Sequence, residues 1–296
     1  MSSGVFKSPA AERRVLASYD RVLSHWDLPL RGFPIETRRG ETHVIATGAN
    51  DKPPLVLLHG GGGNAAMWYP NVEALSRERC VYALDIPGEM GKSVQNRFTF
   101  TAYDDADWLA DVLDGLKLAS ADILGASLGG SIALRFAFRY PDRVARVMAA
   151  CPPSIAKPRL RLVLRAILLA LMPTRGNHLG FYRFLTSKNG RPPEPWALED
   201  LVTRGLAQKT NAHQIPLVDE DMLAALPLQT LLFLGADDPF FAPDPILNKV
   251  VAVAPFIQTQ VVPNAGHIPS VEQPAVFNEA VLEFLKQDIP DSGTQG

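Results

Sequence analysis

The chain has 296 residues, 47% of them hydrophobic and 20% charged, which are the proportions of an ordinary globular protein. This length allows one large core, or one core with an inserted subdomain. The 29 basic residues nearly balance the 31 acidic ones, so the overall charge of −2 gives no indication of nucleic acid or an anionic surface as a partner.

Cysteine usage and apolar segments bear on where the protein resides. Cys80 and Cys151 lie in apolar runs and are predicted to be buried reduced thiols, which favours a reducing compartment. Residues 1–10 lack the apolar stretch of a secretory signal peptide. The most apolar stretch, at 160–172, is too short to span a bilayer and contains two arginines. We therefore expect a soluble, cytoplasmic protein with no stable membrane insertion.

The pattern of apolar residues predicts an α/β protein. It begins with a helix over residues 11–26 and a β-hairpin with strands at 34–38 and 42–47. Further strands are predicted at 55–59, 80–84, 121–124, 143–150, 230–234 and 257–262, and helices at 103–116, 128–139, 246–253 and 275–286. Because strands that alternate with helices form parallel sheets, we expect a mostly parallel central sheet with helices on both faces.

The alternation stops between residues 152 and 228, a stretch rich in proline and arginine that contains helix-like pieces and no strand pattern. We interpret it as an inserted helical cap, which divides the core into a first part at 1–151 and a second part at 229–296. Within this cap, 160–172 has two interpretations. It is either a lid whose apolar face lines a pocket, or a core helix whose arginines reach the solvent.

A nucleophile is predicted at Ser127. The sequence G-A-S-L-G-G at 125–130 follows a predicted strand and precedes a predicted helix. A sharp strand-to-helix turn projects the serine hydroxyl above the sheet, and it needs small residues such as Gly125 and Gly129 beside it. The alternative is an ordinary Ser-Gly turn, but the strand–helix context favours the nucleophile.

A glycine-rich run, H-G-G-G-G-N at 59–64, follows an earlier strand. A tetrahedral oxyanion needs two N–H donors, one from such a loop and one from the residue after the nucleophile. We assign these donors to Gly61 and Leu128. The alternative is a phosphate-binding loop, but this run lacks the G-K-[ST] ending that such a loop has. His59 is expected to be a structural residue that holds the loop.

The base and the acid are predicted at the ends of two late strands. His267 follows one of them, and the pair Asp237 and Asp238 follows the other. Imidazole accepts the serine proton, and the carboxylate fixes the tautomer of the imidazole. The resulting chain order of serine, acid and histidine is that of strand–turn–helix hydrolases. Asp237 remains the competitor of Asp238 on the residues alone.

Together these motifs resemble the α/β-hydrolase fold superfamily, in its esterase and lipase-like branch. The resemblance runs from about residue 31 to residue 286 and rests on motifs at 59–62, 85–93, 125–130, 235–239 and 266–267. It implies that Asp238 is the acid. The chain departs from the family pattern at Glu89 and Met90, where an extra residue separates two glycines, and we expect Met90 to enter the pocket.

The resemblance and the residues imply a serine hydrolase that cleaves a carboxylic ester with a medium, apolar acyl group or a lactone, without cofactor or metal. The predicted pocket residues are Gly62, Met67, Trp68, Met90 and Phe240. A C–C bond hydrolase, a lactonase or an acyltransferase with the same triad stays open. So does a ligand-binding protein that keeps the fold without turnover. A small apolar ester is the expected partner, nucleic acid is not, and a homodimer is left open.

Overall fold

One central sheet organises the protein, which we describe from a computed structural model over residues 4–93, 104–209, 215–227 and 229–288. In this part of the chain the sheet has eight strands in the order β1-β2-β4-β3-β5-β6-β7-β8. β2 runs antiparallel to both of its neighbours, and the pairs from β4 to β8 are parallel. The strands are β1 Arg31–Ile35, β2 Thr42–Thr47, β3 Pro54–Leu58, β4 Cys80–Leu84, β5 Ala121–Ala126, β6 Val144–Ala150, β7 Thr230–Gly235 and β8 Gln258–Val262.

Helices cover both faces of the sheet. They are α1 Pro9–Leu23, α2 Val72–Ser76, α3 Asp104–Gly115, α4 Leu128–Arg139, α5 Leu160–Leu171, α6 Arg175–Leu185, α7 Pro195–Ala207, α8 Glu220–Ala224, α9 Pro243–Val253, α10 Pro269–Glu272 and α11 Pro274–Leu285. Side chains of α3, α4 and α9 pack on one face, and those of α1, α2 and α11 pack on the other. Alternate strand residues supply the two cores, because successive side chains of a strand point to opposite faces. This architecture confirms the predicted α/β class.

The N-terminal region differs in detail from its prediction. Ser8 caps α1 by accepting a hydrogen bond from the Ala11 N–H, so the helix starts earlier than expected and ends at Leu23. The hairpin turn closes between Thr37 and Gly40 through their backbone groups. The residues just before this turn therefore leave the sheet, and β1 begins and ends three residues earlier than predicted. The predicted first residue of α3, Tyr103, lies outside the described residues.

The segment interpreted above as a cap, residues 152–228, contains α5 to α8, which lie between β6 and β7 in the chain. Its described residues join none of the eight sheet strands; Gln208 forms one isolated bridge with Phe6. The interpretation of 160–172 as a core helix is wrong, because Leu162 is the one buried side chain of α5, whereas Leu160 and Leu171 are 70% and 76% exposed. Among the described helices, none combines the length and the apolar character needed to cross a bilayer.

Candidate active site

Ser127 lies on a strained turn between β5 and α4. Its backbone has φ 50° and ψ −114°, a conformation that residues other than glycine rarely adopt. The turn is possible because its neighbours lack side chains. A Cβ at Gly125 would lie 2.1 Å from the Gly129 carbonyl oxygen, and one at Gly129 would lie 2.3 Å from the Leu58 carbonyl oxygen. The glycine pattern of the sequence therefore follows from close backbone approach.

A hydrogen-bonded chain joins the three residues that the sequence singled out. Ser127 Oγ lies 2.9 Å from His267 Nε2, and His267 Nδ1 lies 2.9 Å from Asp238 Oδ2. The second carboxylate oxygen of Asp238 accepts the Phe240 N–H at 2.8 Å. A carboxylate next to Nδ1 favours the tautomer with the proton on Nδ1, which leaves Nε2 as an acceptor for the serine hydroxyl.

The neighbouring acid, Asp237, takes a different direction. Its side chain is exposed and accepts a hydrogen bond from the Ser187 hydroxyl at 2.6 Å. Asp238 and His267 are buried, with 3% and 5% exposure. Of the two candidate acids, the structure brings Asp238 to the imidazole.

Phe240 packs directly on the imidazole of His267. The two rings are nearly parallel, with centroids 3.7 Å apart and an interplanar angle of 7°. The contact covers one face of the imidazole and restricts its rotation. Phe240, one of the residues predicted to form the pocket, also lines the adjacent cavity.

Sequence reasoning missed the residue that holds the histidine loop. The fully buried carboxylate of Glu272 accepts the N–H groups of Gly266 and Ile268, on either side of His267, at 3.0 and 3.1 Å. It also accepts the Ser187 N–H at 2.6 Å. Burial raises the pKa of the Glu272 carboxyl, and these hydrogen bonds oppose that shift. The sequence did contain a signal for this role: Glu272 is an acid in the apolar segment just after His267, the predicted base.

The two predicted oxyanion donors lie beside Ser127. Gly61 and Leu128 both line the cavity that contains Ser127 and His267. Within the described part of the chain, neither of their N–H groups donates a hydrogen bond to the protein, whereas the Gly129 N–H donates to the His59 carbonyl oxygen. Two donors are therefore available to an oxygen that develops negative charge.

Gly62, predicted as a pocket residue, is turned away from the cavity. Its N–H donates to the Glu89 carboxylate, and its carbonyl oxygen accepts from the Arg204 guanidinium. Arg204 is paired in turn with Asp200 at 2.7 Å. This clamp fixes the backbone next to Gly61, so Gly62 orients the loop instead of lining the pocket.

His59 has the structural role expected of it. Its Nε2 accepts the Ile86 N–H at 2.9 Å, so the proton lies on Nδ1, which donates to the Gly60 carbonyl oxygen at 2.8 Å. Burial lowers the pKa of the imidazole and keeps it neutral. His59 thus connects the glycine-rich loop to the segment after β4.

Asp85 also supports the glycine-rich loop. Its fully buried carboxylate accepts the N–H groups of Ala65 and Lys92, each at 2.8 Å, and contacts His43 and the Tyr19 hydroxyl. Burial opposes ionisation of Asp85, but the hydrogen bond and charge of His43 and the bond from Ala65 outweigh it. The pKa of the carboxyl therefore lies below its usual value.

We expect Asp85→Ala to lower the free energy of unfolding at pH 7 by about 3 kcal/mol, because the buried Ala65 N–H and the partly buried Lys92 N–H lose their acceptor. Since the folded-state pKa is lowered, this contribution is present above the unfolded pKa of about 4 and is lost as pH falls through the folded-state pKa. Urea denaturation of wild type and variant at pH 7 and pH 3 measures the difference. Asp51→Ala, at an exposed acid, is the control. A difference that did not shrink at low pH would contradict this role.

The site opens into a cavity of about 500 Å³. Most of its wall is apolar and comes from both the core and the cap, including Met67, Leu162, Phe181, Leu185, Phe240 and Val271. Leu162 belongs to α5, so one side chain of that helix lines the cavity. Met67 and Phe240, two of the residues predicted to form the pocket, line this cavity.

Trp68 and Met90 do not line this cavity, and their predicted pocket roles are wrong. Trp68 is completely buried in the core on the α1 side of the sheet. Met90 is completely buried against Phe6 and Val15 of the N-terminal region. The extra residue at Glu89 and Met90 thus fills a gap beneath the N-terminal helix and does not enter the pocket.

Metal-ligand atoms come together at one place in the described residues. Cys151, Asp238 and His267 present ligand atoms within 4.8 Å of one another. His267 Nδ1 and Asp238 already share a hydrogen bond. Burial, followed by the charge of Asp238, raises the pKa of the Cys151 thiol well above its ordinary value, so the thiol beside this pair is neutral. This donor set suits an oriented imidazole better than a metal ion.

These features define an α/β hydrolase, and the chain belongs to the alpha/beta hydrolase family, whose sequence profile matches residues 55–280. The carboxylesterase YbfK of Bacillus subtilis (strain 168) is 34% identical over 281 residues, which cover 92% of this chain and 93% of the relative. The crystal structure of that protein, carboxylesterase CesB, matches with a TM-score of 0.87 over 95% of this chain and 100% of its own. Naproxen esterase (carboxylesterase NP) from Bacillus subtilis is 31% identical, with a TM-score of 0.85 over 94% of this chain and 99% of its own.

Proposed function

We propose that the chain is a carboxylesterase that hydrolyses esters with a medium, apolar acyl group through Ser127, His267 and Asp238. The observation that carries the proposal is the 2.9 Å hydrogen bond from Ser127 Oγ to His267 Nε2 at the floor of an apolar cavity. The two carboxylesterases of similar sequence and structure support the same reaction class.

Acylation begins with attack of Ser127 Oγ on the ester carbonyl carbon. His267 Nε2 takes the hydroxyl proton, and the Asp238 carboxylate stabilises the imidazolium through Nδ1. The carbonyl oxygen becomes negative and accepts hydrogen bonds from the N–H groups of Gly61 and Leu128. The bond to the leaving alcohol then breaks, and the alcohol oxygen takes the proton from His267.

Deacylation repeats these steps with water. His267 Nε2 removes a proton from a water molecule, whose oxygen attacks the acyl carbon of the Ser127 ester. The same two N–H groups stabilise the second oxyanion. Collapse releases the carboxylic acid, and the proton returns from His267 to Ser127 Oγ.

The substrate class follows from the cavity. Each methylene that moves from water into an apolar wall gains about 0.8 kcal/mol, which corresponds to about a four-fold increase in kcat/KM until the cavity is full. Beyond that length, further methylenes have no apolar wall to contact. We therefore expect kcat/KM to rise with acyl length, reach a maximum at an intermediate length and then fall.

A series of p-nitrophenyl esters from acetyl to hexadecanoyl, with fluorophosphonate labelling of Ser127, tests the proposal. Stoichiometric labelling together with an intermediate maximum is the expected result. Labelling without turnover of any ester would favour C–C bond or lactone chemistry at the same triad. Absence of both would favour a ligand-binding protein on this fold.

A further inference from the structure

The outer face of α5 is apolar and has no partner in the described residues. Side chains on this face are exposed by 39% to 76%, and they are Leu160, Val163, Leu164, Ile167, Leu168 and Leu171. At 100° per residue they occupy one continuous stripe opposite the buried Leu162. A contiguous exposed stripe of this kind marks an interaction surface.

The segment of the chain that contains α5 is strongly basic. Residues 152–193 contain eight lysines and arginines and no aspartate or glutamate, and the remaining chain carries 21 basic and 31 acidic residues. The eight are Lys157, Arg159, Arg161, Arg165, Arg175, Arg183, Lys188 and Arg191, and all of them are exposed. The overall charge of −2 thus conceals a segregation of charge, and residues 152–193 carry a local positive charge that the whole-chain value does not show.

The positive charge is concentrated where α5 begins. Lys157, Arg159, Arg161 and Arg165 precede or occupy its first half, and within the described residues none of these four forms an ion pair. Arg159 is the N-cap residue and provides no side-chain capping bond. Cations at the positive end of a helix dipole are unfavourable unless an anion approaches them.

We propose that α5 and its basic N-terminal flank dock on an anionic phospholipid surface. The apolar stripe would lie at the boundary between head groups and acyl chains, with the arginines among the lipid phosphates. A second copy of the chain fits less well, because a symmetric contact through this face would bring two basic segments together.

Docking in this orientation would place the catalytic cavity close to the lipid. Leu162, on the inner side of α5, lines the same cavity as Ser127, so one helix separates the cavity from the docking stripe. The docking itself does not depend on turnover. Its measurement is therefore independent of the proposed esterase function.

Vesicle flotation of the full chain tests the surface. Binding to vesicles of equal parts phosphatidylglycerol and phosphatidylcholine should exceed binding to pure phosphatidylcholine by about ten-fold and should weaken with added salt. Ile167→Glu should reduce binding by about ten-fold or more, and Arg161→Glu should reduce it several-fold. Val251→Glu places the same charge on an even more exposed apolar residue of α9 and should bind like wild type.

Light scattering on the same protein variants tests the alternative occupant of the stripe, a second copy of the chain. The proposal is overturned if wild type does not bind anionic vesicles, or if Ile167→Glu and Val251→Glu bind equally. It is also overturned if Ile167→Glu converts a dimer to a monomer without changing vesicle binding, since the stripe would then be a contact between two copies.

Discussion

Ser127→Ala is expected to lower kcat for ester hydrolysis by about 10⁴-fold or more. The change removes the hydroxyl that lies 2.9 Å from His267 Nε2 and leaves the imidazole with no proton to accept. The fold should survive, because alanine has the same Cβ as serine and tolerates the positive φ of this turn equally well. Fluorophosphonate labelling should disappear together with turnover.

Ser131→Ala is the matched control for this variant. Ser131 is completely buried one turn along α4, where its hydroxyl accepts the Ser154 N–H at 3.2 Å. Its replacement should cost about 1 kcal/mol of stability and leave labelling and kcat nearly unchanged. Rates are to be measured on p-nitrophenyl esters at equal purity, with circular dichroism as the check on folding. Substantial esterase activity in Ser127→Ala would remove the nucleophile assignment.

Local patterns predicted most of the sheet, the positions of Ser127 and His267, and an acid at Asp237 or Asp238, while the family resemblance favoured Asp238. Each of these residues follows a strand of the parallel part of the sheet within a few residues, and parallel strands present their carboxyl ends at one edge of the sheet. The strand assignment therefore predicted that Ser127, His267 and one acid of the pair Asp237 and Asp238 lie at the same edge of the sheet. The glycines at 125 and 129 added a steric signature that can be read without coordinates.

The pocket wall could not be predicted in the same way. Proximity to a motif in sequence does not tell which way a side chain points, and Trp68 and Met90 point into the core. Met90 packs against Phe6 and Val15, which are distant in the chain. Its environment depends on how the N-terminal helix docks, and that docking has no local signature.

The exposure of α5 could not be predicted for a different reason. A helix that is apolar almost all round is usually buried, so the core interpretation followed from the composition of 160–172. What distinguished an exposed helix was the charge around it, since its flank carries only basic residues. The net charge of the whole chain is close to zero and does not show this asymmetry.

Asp238→Asn is expected to lower kcat by about 10⁴-fold with little loss of stability, through the wrong tautomer of His267. In the wild type the two oxygens of Asp238 accept from the Phe240 N–H and from His267 Nδ1. In the variant the amide oxygen can satisfy the Phe240 N–H, which turns the amide NH₂ toward Nδ1. Nδ1 must then be an acceptor, so the proton moves to Nε2.

That tautomer places an N–H opposite the hydroxyl of Ser127, where an acceptor is needed. Asp237→Asn is the matched control, since it makes the same chemical change one residue away. Its side chain is exposed, and its contact is the Ser187 hydroxyl, which an amide oxygen can still accept. We expect a change in kcat of less than about three-fold for this variant, because exposed polar substitutions of this kind alter little. Steady-state rates of both variants on one p-nitrophenyl ester, with urea denaturation as the check on stability, decide between the two acids. If the larger loss occurred in Asp237→Asn, the acid of the triad would be Asp237, and the loop after β7 would adopt a register shifted by one residue from the one described.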